Sequence, residues 1–455
     1  MALVFLTIKN SKLKMKKIEI TNEKLTLVVG RFSSLAVKSL KFFHSSAYPL
    51  TRLPAFFLLT VLFLISTSNF SLLTAFNLAP YYDFQFTEGV SIPSKGGDPT
   101  FTINLLNDIG LIVKSHEKHS TIGFFELKYL GPGLKTQEGE KFTDRYLDYL
   151  YLLRHNWKIR EKFTLRAQFD YMKENRRTGA NEAWGYGLYD YNRIGGLVGV
   201  EKEFEKFKLG GSIDYHYLEF PNYTDLLKEF QAGTGEAESE AGKQNHNIIQ
   251  VRGDLVYGLN KFNVGFALQS YTKQKVITDT VQSDGSYYSD TLQKDIIISL
   301  TAERTQKVSN RIVFVPSISF KMRDSNQNYQ HFESAGSTSP VSYQSNYYDY
   351  SEVIFSLPVN FSLSKKWDFV FSPEFDYKFY SDRQPRDASN QFIEGEKQNI
   401  MLTLLTLGFT KKATEVSSLS IFYTYQVQSS NMKFEKYLPY NYDGHFIGLK
   451  YAITY

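Results

Sequence analysis

The stretch that most constrains the fold is "WDFVFSPEFDYKFY", residues 367 to 380. Trp367, Phe369, Phe371, Pro373, Phe375, Tyr377 and Phe379 share one parity, while Asp368, Ser372, Glu374, Asp376 and Lys378 share the other. In an extended chain successive side chains point to opposite faces, so this segment carries an apolar face backing a charged one. A helix would scatter both sets round its circumference. The same period of two returns in "KFNVGFALQS", "FTLRAQFDY", "IIQVRGDLVYGL" and "SLSIFYTYQVQ", and it dominates from about residue 78 onward. No stretch of comparable length holds the apolar spacing of a helix.

Such alternation fits a half-solvated antiparallel sheet in a soluble sandwich. Two features favour a membrane instead. The apolar faces are rich in Phe, Tyr and Leu over lengths that match the roughly 9 to 11 tilted residues needed to cross a bilayer. The chain holds 32 Tyr and 37 Phe, residue types that favour strands and gather at membrane boundaries. The connections also alternate in length. Short ones, such as "SHEKHS", "NWKIREK", "GLNKF" and "SKKW", are separated by long polar ones, such as "PNYTDLLKEFQAGTGEAESEAGKQN" and "RDSNQNYQHFESAGSTSPVSYQS". Membrane barrels sort their connections this way, with tight turns on the periplasmic side and long loops outside. Hydrocarbon offers no partner to an edge strand, so a sheet that spans it must close.

The predicted fold class is therefore all-β, a transmembrane antiparallel up-and-down barrel. Fifteen strands are read at 100–113, 121–130, 145–157, 162–173, 186–201, 206–219, 247–259, 262–275, 291–304, 309–323, 347–363, 367–380, 397–410, 416–429 and 443–455. Single-chain bacterial barrels have an even number, and "YYDFQFTEGV", 81 to 90, supplies a sixteenth. Fourteen is the alternative if residues 81–113 form a periplasmic or plug segment. Pro316, Pro358 and Pro373 fall at a similar height on three successive strands, which predicts a bulge or weakened seam, since proline cannot donate to a ladder.

Residues 1–75 read as a leader, with 76–455 as the barrel. "AFFLLTVLFLI", 55 to 65, carries no charge and is shorter than the roughly 20 residues a spanning helix needs, which fits the apolar core of a secretory signal. There is no cysteine, so disulfides and thiolate chemistry are excluded. The balance of 52 basic against 47 acidic residues argues against a nucleic-acid partner bound through phosphate neutralisation.

Near the C-terminus, Ile447, Leu449, Tyr451, Ile453 and Tyr455 share one face. This pattern resembles the C-terminal signature of bacterial outer-membrane barrels, in which a terminal aromatic with alternating apolar residues before it is read by the barrel assembly machinery. The resemblance implies an outer-membrane location and that assembly partner. It implies nothing about a substrate.

The alternation itself assigns Arg166, Asp170, Asp214, Arg252, Asp254, Arg311, Lys321, Glu352, Glu374, Asp376, Lys378 and Lys450 to the lumen. Charges of both signs suit a water-filled pore, and equally suit a small barrel neutralised by internal ion pairs. No catalytic residue, cofactor or metal site is expected. Asp214 with His216 is the nearest approach to a protease-like pair, and a lumen charge pair looks the same. Gly195, Gly196 and Gly199 in "RIGGLVGV" make no dinucleotide motif and point to a bend or to close packing. His155 and His445 fall on the apolar face near strand ends, while His246 and His331 fall at loop edges.

The expectation is a porin-like channel passing small polar solutes, embedded in membrane lipid and not an enzyme. Whether it forms a homo-oligomer stays open. A surface adhesion or receptor barrel acting through loops 221–246 and 325–346 is the alternative, with an outer-membrane hydrolase as a third reading.

Overall fold

The computed structural model describes residues 77–455 except 96, 133–135, 138–139, 142–144, 178–182, 224–241, 284–285, 332–341 and 436–439. The leader expected over residues 1–75 lies outside the described residues, and among the described residues no helix forms. Sixteen strands make the wall: β1 (Asn77–Pro93), β2 (Thr100–His116), β3 (His119–Leu130), β4 (Arg145–Arg160), β5 (Phe163–Arg177), β6 (Tyr191–Glu203), β7 (Phe207–Glu219) and β8 (His246–Tyr257). They continue with β9 (Asn260–Ile277), β10 (Tyr288–Arg304), β11 (Ile312–Phe314 with Ser317–Ser325), β12 (Tyr350–Ser356 with Val359–Ser362), β13 (Trp367–Tyr380), β14 (Asn399–Lys412), β15 (Ser417–Ser430) and β16 (Tyr442–Thr454).

Each strand pairs antiparallel with its neighbours, and β16 pairs with β1 from Asp83↔Thr454 to Pro93↔Gly444. The sheet therefore has no edge. Following ladder partners once round the wall returns to β1 about 20 residues from the start, a shear that for this strand number gives a tilt of about 40° and a diameter of about 30 Å. The turns at one end are short, as at 117–118, 161–162 and 258–259, and the connections at the other end are long, with 94–99 the exception.

The outer face is apolar and exposed. Val198, Ile213, Val251, Phe266, Ile318 and Ile421 are open to the surroundings, whereas the buried side chains include Asp170, Asp214, Asp295, Gln330 and Gln398. In water each exposed large apolar side chain forfeits roughly 1.5 to 3 kcal/mol of burial, so this inside-out distribution is stable only where hydrocarbon surrounds the wall. The molecule is a transmembrane antiparallel β-barrel.

The three prolines sit on adjacent seams. Arg304 N–H donates to the Pro316 carbonyl, Val315 N–H to that of Pro358, and Leu357 N–H to that of Pro373, each at 3.0 Å. None of the prolines can return the bond. β11 is interrupted at Val315 and Pro316, and β12 at Leu357 and Pro358. Pro373 departs from expectation, because β13 runs unbroken through it, paired with Leu405. Its nitrogen faces the gap in β12, so the ladder to β14 loses nothing.

Candidate functional site: the lumen

Alternation along each strand sets which charges look inward, and the ladder sets which of them meet. Asp170 on β5, Gly195 on β6 and His216 on β7 form one lateral row. A Cβ at Gly195 would lie 2.5 Å from His216 Cδ2. The glycine thus leaves room for the imidazole to lie across β6, where His216 Nε2–H donates to Asp170 Oδ1 at 3.1 Å. Asp170 also accepts from Arg193 at 3.2 Å and from Gln168 at 3.0 Å. Gln168 in turn accepts two bonds from Arg154, at 2.8 and 2.6 Å.

Next to this row Arg252 pairs with Asp214. Asp214 and His216 therefore serve different partners and make no dyad. Toward the short-turn end Glu201 holds Lys208 at 2.7 Å and Arg166 at 3.6 Å. The carboxylates sit against the wall and the guanidinium groups reach into the bore. Asp170 and Asp214 are 2% and 1% exposed, while the side chains of Arg166 and Arg252 remain 38% and 44% exposed. Charged groups left that open on an inward face are in contact with water.

Two acidic arcs flank this arginine arc. Asp83, Asp108 and Glu126 are ladder neighbours on β1, β2 and β3, with Lys450 on the adjoining β16 opposite Thr87. Glu352, Glu374 and Asp376 stand on β12 and β13, seven and eight strands from β5 and so across the bore. There Lys378 pairs with Glu352 at 3.1 Å and lies 4.2 Å from the Tyr350 ring, which Lys321 approaches at 5.6 Å. Asp254 shares the inward parity of Arg252 on β8. Arg311 lies in the turn before β11, where its carbonyl accepts the Ser362 N–H at 2.7 Å. Its place is the short-turn mouth, because the strand begins only at Ile312.

Alternation alone did not single out Arg154, Arg193, Asp83, Asp108, Glu126, or the pair of Arg323 with the fully buried Asp295 at 2.6 Å. On β4 the inward face also holds Leu150 and Leu152, opposite Tyr149, Tyr151 and Leu153 on the outer face. With both faces apolar the polarity contrast vanishes and parity loses its sign. The glycines of β6 were the available clue, since a glycine in a wall strand marks a side chain lying over it.

At the long-loop end, residues 326–331 and 342–349 pack on the segment 381–398. Arg383 lies 4.4 Å from the Tyr347 ring and 4.8 Å from that of Tyr380. Arg386 covers Phe392 at 4.6 Å and donates to the Tyr329 hydroxyl at 2.7 Å, and Tyr329 stacks on Tyr347 at 4.4 Å. Burial pushes the Tyr348 hydroxyl well above its ordinary value. Asp349 is raised to about 6, first by burial, opposed by the Ser325 N–H it accepts at 2.6 Å, and further by Asp324 and Asp382. Much of loops 221–246 and 325–346 lies outside the described residues.

No family model matches the chain, and no curated protein matches it. Among solved structures it is similar to an anion-selective porin from Comamonas acidovorans, at 9% identity over 84% of this chain and 100% of that one, with a TM-score of 0.40. It is similar to OmpT of Vibrio cholerae, at 12% identity over 84% and 98%, TM-score 0.40. A bacterial polysaccharide outer membrane secretin gives 10% identity over 82% and 97%, TM-score 0.40.

Proposed function

We propose that this barrel is a passive outer-membrane channel for small polar solutes. The observation that carries the reading is the split between buried carboxylates and solvated guanidinium groups on the inward face. A barrel of this strand number and shear leaves an aqueous bore, and Arg166 and Arg252 present charge to it while Asp214 and Glu201 anchor them. Lipid covers the outer belt, the solute passes between the arginine and acidic arcs, and the wall residues act only by charge and width. The pattern from Ile447 to Tyr455 is the segment on which the assembly machinery would act.

The test is reconstitution in planar bilayers and in sugar-loaded liposomes. The expected result is discrete ohmic conductance steps, with swelling rates that fall as the sugar grows larger. Protein that migrates as a folded, heat-modifiable barrel yet neither conducts nor swells liposomes removes the reading.

A further inference from the structure

Three histidines cluster on the wall at the short-turn end, outside the bore. His119 begins β3, His155 is near the end of β4, and His116 precedes the turn that joins β2 to β3. His119 and His155 share the outward parity of Trp157, which is 41% exposed. In the ladder His119 faces Trp157 and Thr121 faces His155, so the two imidazoles are diagonal neighbours.

His119 Nδ1 and His155 Nε2 lie 3.2 Å apart. Two nitrogens bound at about 2.05 Å to one tetrahedral ion are separated by about 3.3 Å. The observed separation therefore matches the span of two imidazole ligands on one ion. The remaining nitrogen of His155, Nδ1, is 2.9 Å from the Thr121 hydroxyl, the kind of partner that fixes a tautomer and orients a ligand. The His119 ring is stacked on Trp157, with centroids 5.8 Å apart and planes 15° apart. Both imidazoles are thus held from behind while their facing nitrogens stay open to solvent. A neutral N–H···N bond in water contributes only about 1 kcal/mol, too little by itself to require this positioning.

His116 is not a third ligand. Its Nδ1 accepts the Lys118 N–H at 3.2 Å, which leaves the proton on Nε2. This agrees with the finding that no group of three or more ligating side chains among the described residues is placed for a metal ion.

We propose that His119 Nδ1 and His155 Nε2 form a two-imidazole site for a late first-row divalent cation, Zn²⁺, Cu²⁺ or Ni²⁺, on the outer wall at its short-turn rim. Imidazole suits these ions. Water completes the coordination, and the proton now between the two nitrogens moves to the far nitrogen of the ring that carries it, His119 Nε2 or His155 Nδ1, so none is released. The site is independent of conduction.

Trp157 supplies the readout. The folded barrel in detergent is titrated with Ni²⁺ alone, following tryptophan fluorescence, and Zn²⁺ is then added as a competitor. The expected result is saturable quenching that Zn²⁺ reverses and that Trp157→Phe removes, leaving Trp184 and Trp367 emission in place. His119→Gln and His155→Gln each weaken the apparent affinity by about tenfold or more, and His116→Gln leaves it unchanged. Folding of each variant is read from its heat-modifiable mobility, with His155→Asn as the second variant. Quenching that survives in the folded His119 and His155 variants, that follows His116, or that never saturates overturns the proposal.

Discussion

Arg154 is the arginine of the arc whose side-chain bonds go to a neutral partner, the Gln168 oxygen, so replacing it alters the field in the bore without unmasking a buried carboxylate. A wall radius of about 15 Å less a side-chain reach of about 6 Å puts its charge about 9 Å from the axis. A monovalent ion there feels about 0.5 kcal/mol in bulk water. Screening reduces this to about 0.2 kcal/mol at 0.1 M salt, where the Debye length is about 10 Å, and to about 0.3 kcal/mol at 0.01 M. Cations and anions are affected with opposite sign, so Arg154→Gln shifts the permeability ratio toward cations by about twofold at 0.1 M and about threefold at 0.01 M. Arg154→Glu doubles the free-energy change, to about fourfold and about tenfold. The assay is the reversal potential across a planar bilayer under a KCl gradient, with Arg154→Lys as the control that keeps the charge. A ratio unmoved at 0.01 M, moved equally at both salts, or moved toward anions refutes the placement of Arg154 in an open bore.

Gly195→Ala sets a Cβ against the Tyr215 carbonyl oxygen and 2.5 Å from His216 Cδ2, which costs about 1 to 3 kcal/mol of overpacking plus about 1.5 to 3 kcal/mol for the charged hydrogen bond to Asp170. Urea unfolding in micelles reads it, and the double variant with His216→Ala is expected to cost less than the two singles added together. Pro316→Val and Pro358→Val each return a ladder donor, opposite Arg304 and Val315, and are expected to raise the unfolding free energy by about 0.5 to 1.5 kcal/mol apiece. No gain in either would mean that those carbonyls are not aligned to accept. Because the folded-state pKa of Asp349 is raised to about 6, above the roughly 3.9 of an unfolded Asp, its contribution is full below about pH 4 and is lost as pH rises through about 6. Unfolding midpoints measured between pH 4 and 7 should fall with that profile, and Asp349→Asn should flatten it.

Strand positions were largely legible because parity and ladder obey the same period. The segment read as 367–380 is β13 itself, and 100–113 and 145–157 became Thr100–His116 and Arg145–Arg160. The misses at those ends share a cause: "KSH" and "KIR" are polar, so the apolar pattern stops at the edge of the hydrocarbon while the backbone ladder continues into the interface. The lumen was less legible. Parity names an inward face only where the two faces differ in polarity. On β10 the inward Asp295 shares its parity with Ile297, which is the ladder partner of Arg323, and nothing in that local pattern says that a carboxylate there will be wholly buried. That depends on Arg323 and Gln293 arriving from the same layer of the wall.

If the barrel conducts as proposed, the rows of ladder partners also decide which lumen charges act on a passing ion. Asp170, Asp214 and Asp295 lie under cations at the wall, and an ion in the bore meets each of these pairs from its cationic side. A buried pair contributes little more than a dipole at such a distance. Arg154 has a neutral partner and Arg166 a carboxylate at 3.6 Å that Lys208 shares, so both project more nearly as single charges. On the opposite wall Glu352, Glu374 and Asp376 share two lysines, Lys378 and Lys321. The field across the bore is therefore set less by the sum of inward charges than by how many of them the ladder leaves without a close counter-ion. Substituting a paired wall carboxylate should act mainly on stability, whereas substituting Arg154 should act mainly on selectivity.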